Sequence, residues 1–171
     1  MRLTITIFLK CRLLLNTMKD VMLVDYKRTP FSRSRPRDPS KDVFGQIRGD
    51  ELLADLLMKW FDGSLAEKGI KKGDIDEVTV GVASGVLENW TYGGRIPLYL
   101  SGFPYSVPSI FVDRQCGSAG SGMHVAIMEV MTGYSKVVLS AGFEHMTRVR
   151  GKGIDPNQKP ARPGCRWVSP R

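Results

Sequence analysis

Cysteine and histidine are scarce in this sequence of 171 residues, which contains three of the first and two of the second. The cysteines, Cys11, Cys116 and Cys165, follow no regular spacing. This pattern excludes a disulfide framework and a zinc site with closely spaced ligands. Because proteins without structural disulfides are typical of a reducing compartment, we expect a cytoplasmic protein.

Long apolar runs and internal repeats are also missing. The apolar run that begins at Leu3 is interrupted by Lys10 and Arg12, and no small-residue cleavage site follows it. The segment is therefore a poor signal peptide and is too short to span a membrane. We expect residues 1–17 to be a non-native extension, with a targeting segment as the alternative, and we expect no membrane partner.

Acidic residues are nearly absent from both ends of the chain, which accounts for the net charge of +8. Residues 1–19 hold four basic residues and no acid, and residues 148–171 hold seven basic residues and one acid. The residues between them carry 14 basic and 16 acidic side chains. A mildly acidic body with basic ends is not a nucleic-acid-binding face, so no nucleic-acid partner is expected.

The chain is organised around residues 112–122, in which Cys116 lies between a predicted strand and a predicted helix. Residues 107–112 are rich in β-branched and aromatic side chains, as in a buried strand. Residues 123–131 have the apolar content of a mostly buried helix. Three glycines keep the turn small, so that a substrate or a second backbone could come close. These are Gly117, Gly120 and Gly122.

The position of Cys116 at a helix N-terminus favours the thiolate, which is the nucleophilic form. Unpaired backbone N–H groups and the positive end of the helix dipole both stabilise a negative charge there. The alternative is a buried and unreactive cysteine, since free cysteine is among the most buried residue types. The wider sequence context favours the nucleophile.

Four motifs in the same order resemble the thiolase family. They are Arg-Thr-Pro-Phe at 28–31 after a first strand, Gly-Gly-Arg at 93–95 with Gly-Phe-Pro at 102–104, Asp-Arg-Gln-Cys-Gly-Ser-Ala-Gly at 113–120, and the segment 141–148. The resemblance covers residues 18–148 and corresponds to the N-terminal part of a thiolase. It implies an α/β fold that forms the first half of a layered αβαβα arrangement, with disordered or irregular ends.

The remaining elements alternate as this fold requires. The sequence predicts strands at 21–24, 77–82 and 136–140 and helices at 51–61 and 95–100. Asp50 is the expected cap of the first helix, and Gly133 is expected to end the helix after Cys116.

Two segments are rich in proline and basic residues. Residues 27–42, with six basic side chains, are expected to be a solvated loop. The alternative is a patch for the phosphates of coenzyme A. Residues 149–171, with four prolines and a basic excess, are predicted to be an irregular tail. This tail is either read out of frame or a genuine flexible segment.

The resemblance also implies a reaction, in which Cys116 attacks an acyl-CoA thioester and keeps the acyl group. The family activates this cysteine with a histidine in a Gly-His-Pro motif and uses a second cysteine in a Cys-x-Gly motif. Neither motif occurs in the sequence. His124 and His145 are expected to be packing or surface residues, and the backbone N–H of Cys116 is expected to form half of an oxyanion site.

The sequence thus predicts an acyltransferase of the thiolase type, either an acetyl-CoA C-acetyltransferase or a 3-ketoacyl-CoA thiolase, that is inactive as this chain alone. Its expected substrates are acyl-CoA and acetyl-CoA, with no cofactor and no metal. Its expected partner is a second copy, through the strand before Cys116. Two alternatives stay open: a non-catalytic thiolase-like fragment that acts in subunit association, and a condensing enzyme of the β-ketoacyl synthase type.

Overall fold

The computed structural model of the chain describes residues 18–149. Residues 1–17 and 150–171 lie outside the described part, so the expected extension and most of the expected tail stay predictions. None of the helices within 18–149 combines the length and the apolar character that a membrane crossing requires.

Three parallel strands form the sheet at the centre of the described residues. β1 (Glu77–Gly81) pairs on one side with β2 (Ser109–Val112) and on the other with β3 (Val138–Gly142). In this register Val80 lies between Phe111 and Ala141. The three strands predicted at these places are confirmed, with bounds shifted by up to two residues.

Helices precede or connect the strands, because parallel strands need long crossovers. α1 (Gly49–Asp62) and the short α2 (Ser64–Glu67) precede β1, and α3 (Arg95–Leu100) lies between β1 and β2. α4 (Ser118–Thr132) connects β2 to β3. The α/β class is confirmed.

The apolar core lies between α1 and the central strand. Val78 and Val80 of β1 are fully buried and belong to one cluster with Leu53, Leu57 and Phe61 of α1. These three helix residues are four positions apart, so they form one apolar stripe along α1. Each buried side chain of this size contributes about 2 kcal/mol. All five residues of the central strand β1 are buried, so both of its faces contribute to the fold.

The start of α1 differs from the prediction that Asp50 is its cap. The helix begins at Gly49, and Arg48 is the residue that precedes it. Asp50 lies inside the first turn, fully buried, and its carboxylate accepts two hydrogen bonds from the Arg48 guanidinium, at 2.9 and 2.7 Å. The Glu51 carboxylate accepts a hydrogen bond from the Arg48 N–H, at 3.1 Å. The acidic residues of the first turn therefore serve as partners of Arg48.

The strand predicted at residues 21–24 is wrong for the described structure. Residues 18–34 contain no regular secondary structure, and the side chains of Met22 and Leu23 are 79% and 75% exposed. An apolar run becomes a strand only when another backbone pairs with it, and no described strand lies along this one. The segment is held by a hydrogen bond from the Lys19 N–H to the Met131 carbonyl and by an ion pair between Asp25 and Lys68.

The helix after Cys116 is longer and more exposed than predicted. It begins at Ser118 and buries one face, with Gly122 and Ala126 turned to the sheet. Met123 and Met128 on its other faces are about half exposed. The apolar content predicted burial all round, but the described residues cover one side only. Gly133, with φ +76°, ends the helix as predicted.

The neighbouring carboxyl groups of Asp76 and Glu77 at the start of β1 have pKa values that are shifted in opposite directions. Burial raises the pKa of Glu77, and the nearby Glu129 on α4 raises it further. One oxygen of the Glu77 carboxylate is buried without a hydrogen-bond partner among the described residues. By contrast, hydrogen bonds from the backbone N–H groups of Lys136 and Val137 lower the pKa of Asp76.

We predict that Glu77→Gln increases the free energy of unfolding at pH 8. A carboxyl group with a raised pKa in the folded state stabilises the fold below its unfolded pKa and loses this contribution as the pH rises. Removing the buried charge should therefore raise the free energy of unfolding by about 1 kcal/mol at pH 8 and change it little near pH 4. Urea unfolding curves at the two pH values measure this difference.

Asp76→Asn is the control of opposite sign. In the wild type, the Asp76 carboxyl group has a lowered pKa in the folded state. Such a group stabilises the fold above its unfolded pKa, and this contribution is lost as the pH falls. This variant should therefore be less stable than the wild type at pH 8. If Glu77→Gln were also destabilising at pH 8, the account of the Glu77 environment would be refuted.

Candidate functional site

Cys116 lies in a tight turn between the end of β2 and the start of α4. β2 ends at Val112, and Gly117 is the residue that precedes the helix. We call residues 113–117 the elbow. The Gly117 N–H donates to the Arg114 carbonyl at 3.0 Å, and the Ser118 N–H donates to the Gln115 carbonyl at 3.0 Å. Two overlapping turns therefore reverse the chain around Cys116.

The elbow contains a backbone conformation that side chains other than glycine rarely adopt. Gln115, immediately before Cys116, has a φ of +50°. This conformation costs about 1–3 kcal/mol and persists only when neighbouring contacts hold it. One such contact is the Asp113 carboxylate, which accepts a hydrogen bond from the Gln115 N–H at 3.1 Å. Strain of this kind is often found where a functional side chain is held in place.

Two glycines at the carboxyl ends of β1 and β3 let the first turn of α4 come close to the sheet. A Cβ at Gly81 would lie 2.6 Å from the Ala119 nitrogen, and a Cβ at Gly142 would lie 2.9 Å from the Ala119 Cβ. Neither position has room for a side chain. The strand ends therefore form a close-fitting seat for the helix that follows Cys116.

The backbone N–H groups at the start of α4 lack the partners that N–H groups inside a helix have. Among the described residues, no acceptor binds the N–H groups of Cys116, Ala119 and Gly120. The Cys116 side chain is exposed, and within 18–149 no hydrogen bond reaches its sulfur. An exposed thiol beside free N–H groups at a helix N-terminus favours reactions that develop negative charge. The buried alternative is not what the structure shows, but the role of Cys116 stays a prediction.

Glu144 is a polar residue of this region that sequence reasoning missed. It follows β3 by two residues, and its carboxylate accepts hydrogen bonds from the N–H groups of Ala83 and Ser84, at 2.8 and 3.2 Å. It also accepts one from the side-chain amide of the fully buried Asn89, at 2.8 Å. Since Ala83 follows β1 by two residues, Glu144 links the chain segments that leave the two strands carrying Gly81 and Gly142. The signal in the sequence was a carboxylate shortly after the apolar run of a predicted strand.

The structure places both histidines where packing and surface roles were expected. His145 is 5% exposed, and its Nε2 donates a hydrogen bond to the Phe44 carbonyl at 3.0 Å. His124 lies on an exposed face of α4. Within residues 18–149 neither forms a hydrogen bond with Cys116. Neither histidine is therefore bound to the thiol as a general base in this structure.

A separate open cleft of about 390 Å³ lies between the 27–34 loop, α1 and residues 142–147. Its polar centre is Asp42, whose carboxylate accepts hydrogen bonds from the hydroxyl groups of Ser32 and Thr147 and from the Phe44 N–H. Burial opposes ionisation of Asp42, but these hydrogen bonds outweigh it and lower its pKa.

The basic residues of the 27–42 segment are mostly exposed, as expected for a solvated loop. Lys27 and Arg28 line the cleft, which does not include Cys116. Binding of coenzyme A phosphates by this loop stays a prediction. In the described part of the chain, no three metal-ligating side chains come together.

The family model for the N-terminal domain of thiolases matches residues 21–160 of this chain. The chain is similar to the 3-ketoacyl-CoA thiolases of Photorhabdus laumondii, 34% identical over 132 residues, and Saccharophagus degradans, 34% identical over 141 residues. These matches cover 77% and 81% of this chain but 32% and 34% of the relatives, so the chain spans about a third of their length.

A solved structure shares the fold. The dimeric peroxisomal thiolase of Saccharomyces cerevisiae superposes with a TM-score of 0.62 at 25% identity, over 72% of this chain and 31% of that one. The match to the thiolase N-terminal domain covers most of this chain and includes both the parallel sheet and the elbow after β2. The chain belongs to the thiolase family.

Proposed function

We propose that the chain supplies the nucleophile of an acyl transfer between coenzyme A and Cys116, the reaction of an acetyl-CoA C-acetyltransferase or 3-ketoacyl-CoA thiolase. The observation that supports this most is the exposed Cys116 thiol in a strained elbow, beside N–H groups at the start of α4 that have no acceptor within residues 18–149. The names of the relatives support the same reaction class.

The proposed step is a thioester exchange. The Cys116 thiolate attacks the carbonyl carbon of an acyl-CoA thioester, and a new carbon–sulfur bond forms to Cys116. The carbon–sulfur bond to coenzyme A then breaks, and the departing thiolate takes up the proton that Cys116 gave up. The Cys116 N–H would donate a hydrogen bond to the oxyanion that forms between these events.

The described residues provide part of what this reaction needs. The thiol, one candidate oxyanion donor and the helix N-terminus are present, whereas no described side chain is hydrogen-bonded to the Cys116 thiol. The Gly-His-Pro and Cys-x-Gly motifs of the family do not occur in the 171 residues. We therefore propose that turnover requires a polypeptide that supplies these groups. We further propose that coenzyme A thioesters are substrates rather than resident cofactors. The proposed compartment of the reaction is the cytoplasm.

A turnover assay tests the proposal. The 171-residue chain alone should show no measurable thiolysis of acetoacetyl-CoA. In a catalytic unit, the loss of one member lowers the rate nearly as much as the loss of all members. Fusing the chain to the C-terminal two thirds of the Photorhabdus laumondii relative should restore thiolysis. In that fusion Cys116→Ala should lower kcat by at least about 10³-fold.

Cys11→Ala in the same fusion is the matched control and should retain turnover. Thiolysis that survives Cys116→Ala would refute the acyl-transfer proposal. Turnover by the 171-residue chain alone, lost on Cys116→Ala, would refute the requirement for a second part. A fusion that folds but shows no turnover would favour the non-catalytic alternative.

The surface around β2 supports association with a second copy. Among the described strands, β2 pairs only with β1, so no described strand covers its other edge, and Ile110 of β2 is exposed. The Ser109 hydroxyl donates to the Gly93 carbonyl at 2.9 Å, which ties this edge to the segment that carries the exposed Trp90 and Tyr92 rings. An open apolar edge beside exposed aromatic side chains is a typical site of association.

We predict that the chain self-associates at concentrations of tens of micromolar, measured by sedimentation velocity. Ile110→Lys should shift the distribution toward monomer, because an exposed lysine on an edge strand opposes pairing with another edge. Val43→Lys, at an exposed apolar position in a loop, is the control and should leave the distribution unchanged. A wild-type chain that is monomeric, or a shift of equal size in both variants, would contradict the prediction.

A further inference from the structure

Ser118, the first residue of α4, lies in the interior of the elbow. Its side chain is almost fully buried, with 3% of the residue exposed. The hydroxyl accepts a hydrogen bond from the Arg114 N–H at 2.8 Å and donates one to the Gln115 carbonyl at 2.6 Å. A single buried hydroxyl thus joins two points of the turn, one on each side of the strained residue.

The second of these contacts fixes the peptide group that carries the Cys116 N–H. The Gln115 carbonyl and the Cys116 N–H belong to one planar unit and point in opposite directions. The Ser118 hydroxyl and the Ser118 N–H both donate to this carbonyl, at 2.6 and 3.0 Å. Two donors on the oxygen therefore set the direction of the N–H on the opposite side, which has no acceptor of its own among the described residues.

The first contact helps to maintain the backbone that this peptide requires. Gln115 has a φ of +50°, which the chain adopts only at a cost. Because Ser118 binds the residue before Gln115 and the carbonyl of Gln115 itself, it opposes rotation out of this conformation. A loss of the hydroxyl would leave the Arg114 N–H without its partner and let the peptide before Cys116 turn.

We propose that Ser118 is a positioning residue for Cys116, which holds the Cys116 N–H and thiol in the orientation that acyl transfer needs. This assignment rests on the proposed function. Hydrogen bonds in series polarise one another, so the bonds to the Gln115 carbonyl also make the Cys116 N–H a stronger donor. Ser118 itself does not touch the substrate.

The test measures the rate at which iodoacetamide alkylates Cys116 in the folded 171-residue chain, by peptide mapping at short times. Ser118→Ala should slow alkylation about three- to tenfold, the effect of one hydrogen bond. Ser101→Ala is the matched control, because the Ser101 hydroxyl is equally buried and donates to the Pro97 and Leu98 carbonyls at the end of α3. It should lower the urea midpoint without changing the alkylation rate by more than about twofold.

A second substitution separates positioning from stability alone. Glycine adopts a positive φ without strain, so Gln115→Gly in the Ser118→Ala chain should recover at least half of the lost rate on a logarithmic scale. If Ser118→Ala does not fold, the double variant must fold and react at close to the wild-type rate. A wild-type rate in folded Ser118→Ala, an equal loss in Ser101→Ala, or no recovery on Gln115→Gly would overturn the assignment.

This measurement is independent of the turnover assay, because iodoacetamide reacts without any coenzyme A. A thiolysis activity that survives Cys116→Ala would refute the proposed function and leave the alkylation result intact. An unchanged alkylation rate in Ser118→Ala would refute the role of Ser118 and leave the acyl-transfer proposal intact. The two proposals can therefore fail separately.

Discussion

The close contact between the first turn of α4 and two strand ends is the constraint on which the candidate site depends. Gly81 and Gly142 have no room for a Cβ, because Ala119 lies directly over them. A larger residue at either position would push the helix away and move the elbow with it, at a cost of about 1–3 kcal/mol. The site is therefore built on the sheet, although Cys116 itself lies in a loop.

Two sets of polar contacts add to this packing and hold the segment after β1 and the elbow in place. Glu144 holds the segment after β1 against the end of β3, and Ser118 holds the elbow from inside. The contacts of Ser118 hold the strained Gln115 in place, and the N–H groups of Cys116 and Ala119 have no acceptor among the described residues. In the proposed reaction this arrangement meets a developing negative charge without having to reorganise.

Local pattern predicted well those features that local chemistry determines. The strand before Cys116, the stripe of α1 and the end of α4 at Gly133 all follow from periodicity or from a conformation that glycine prefers. The elbow was visible because glycines and a cysteine lie between a β-branched run and an apolar run. Its internal hydrogen bonds were not, since a serine at the start of a helix suggests a cap of that helix, whereas the Ser118 hydroxyl bonds back to Arg114 and Gln115 in the preceding turn.

Two of the three errors concern features that depend on partners distant in the sequence. Residues 21–24 have the composition of a strand but no described strand pairs with them, and α4 is apolar on faces that no described residue covers. Asp50 resembled a cap because it precedes an apolar stripe, but the helix begins one residue earlier, and the buried Asp50 carboxylate pairs with the partly exposed Arg48 guanidinium two residues before it. For residues 21–24 and α4 the sequence indicated the tendency of the segment and tertiary contacts decided the outcome, whereas for Asp50 a local contact did.

The central claim is that Cys116 carries the acyl group, and the most direct test is to locate that group. The chain fused to the C-terminal two thirds of its Photorhabdus laumondii relative would be mixed with isotope-labelled acetyl-CoA, quenched in acid and mapped by peptide mass spectrometry. The account predicts one labelled acetyl group on the peptide that contains Cys116, removed by hydroxylamine as a thioester. A labelled acetyl group on any other residue, with the Cys116 peptide unmodified, would contradict it.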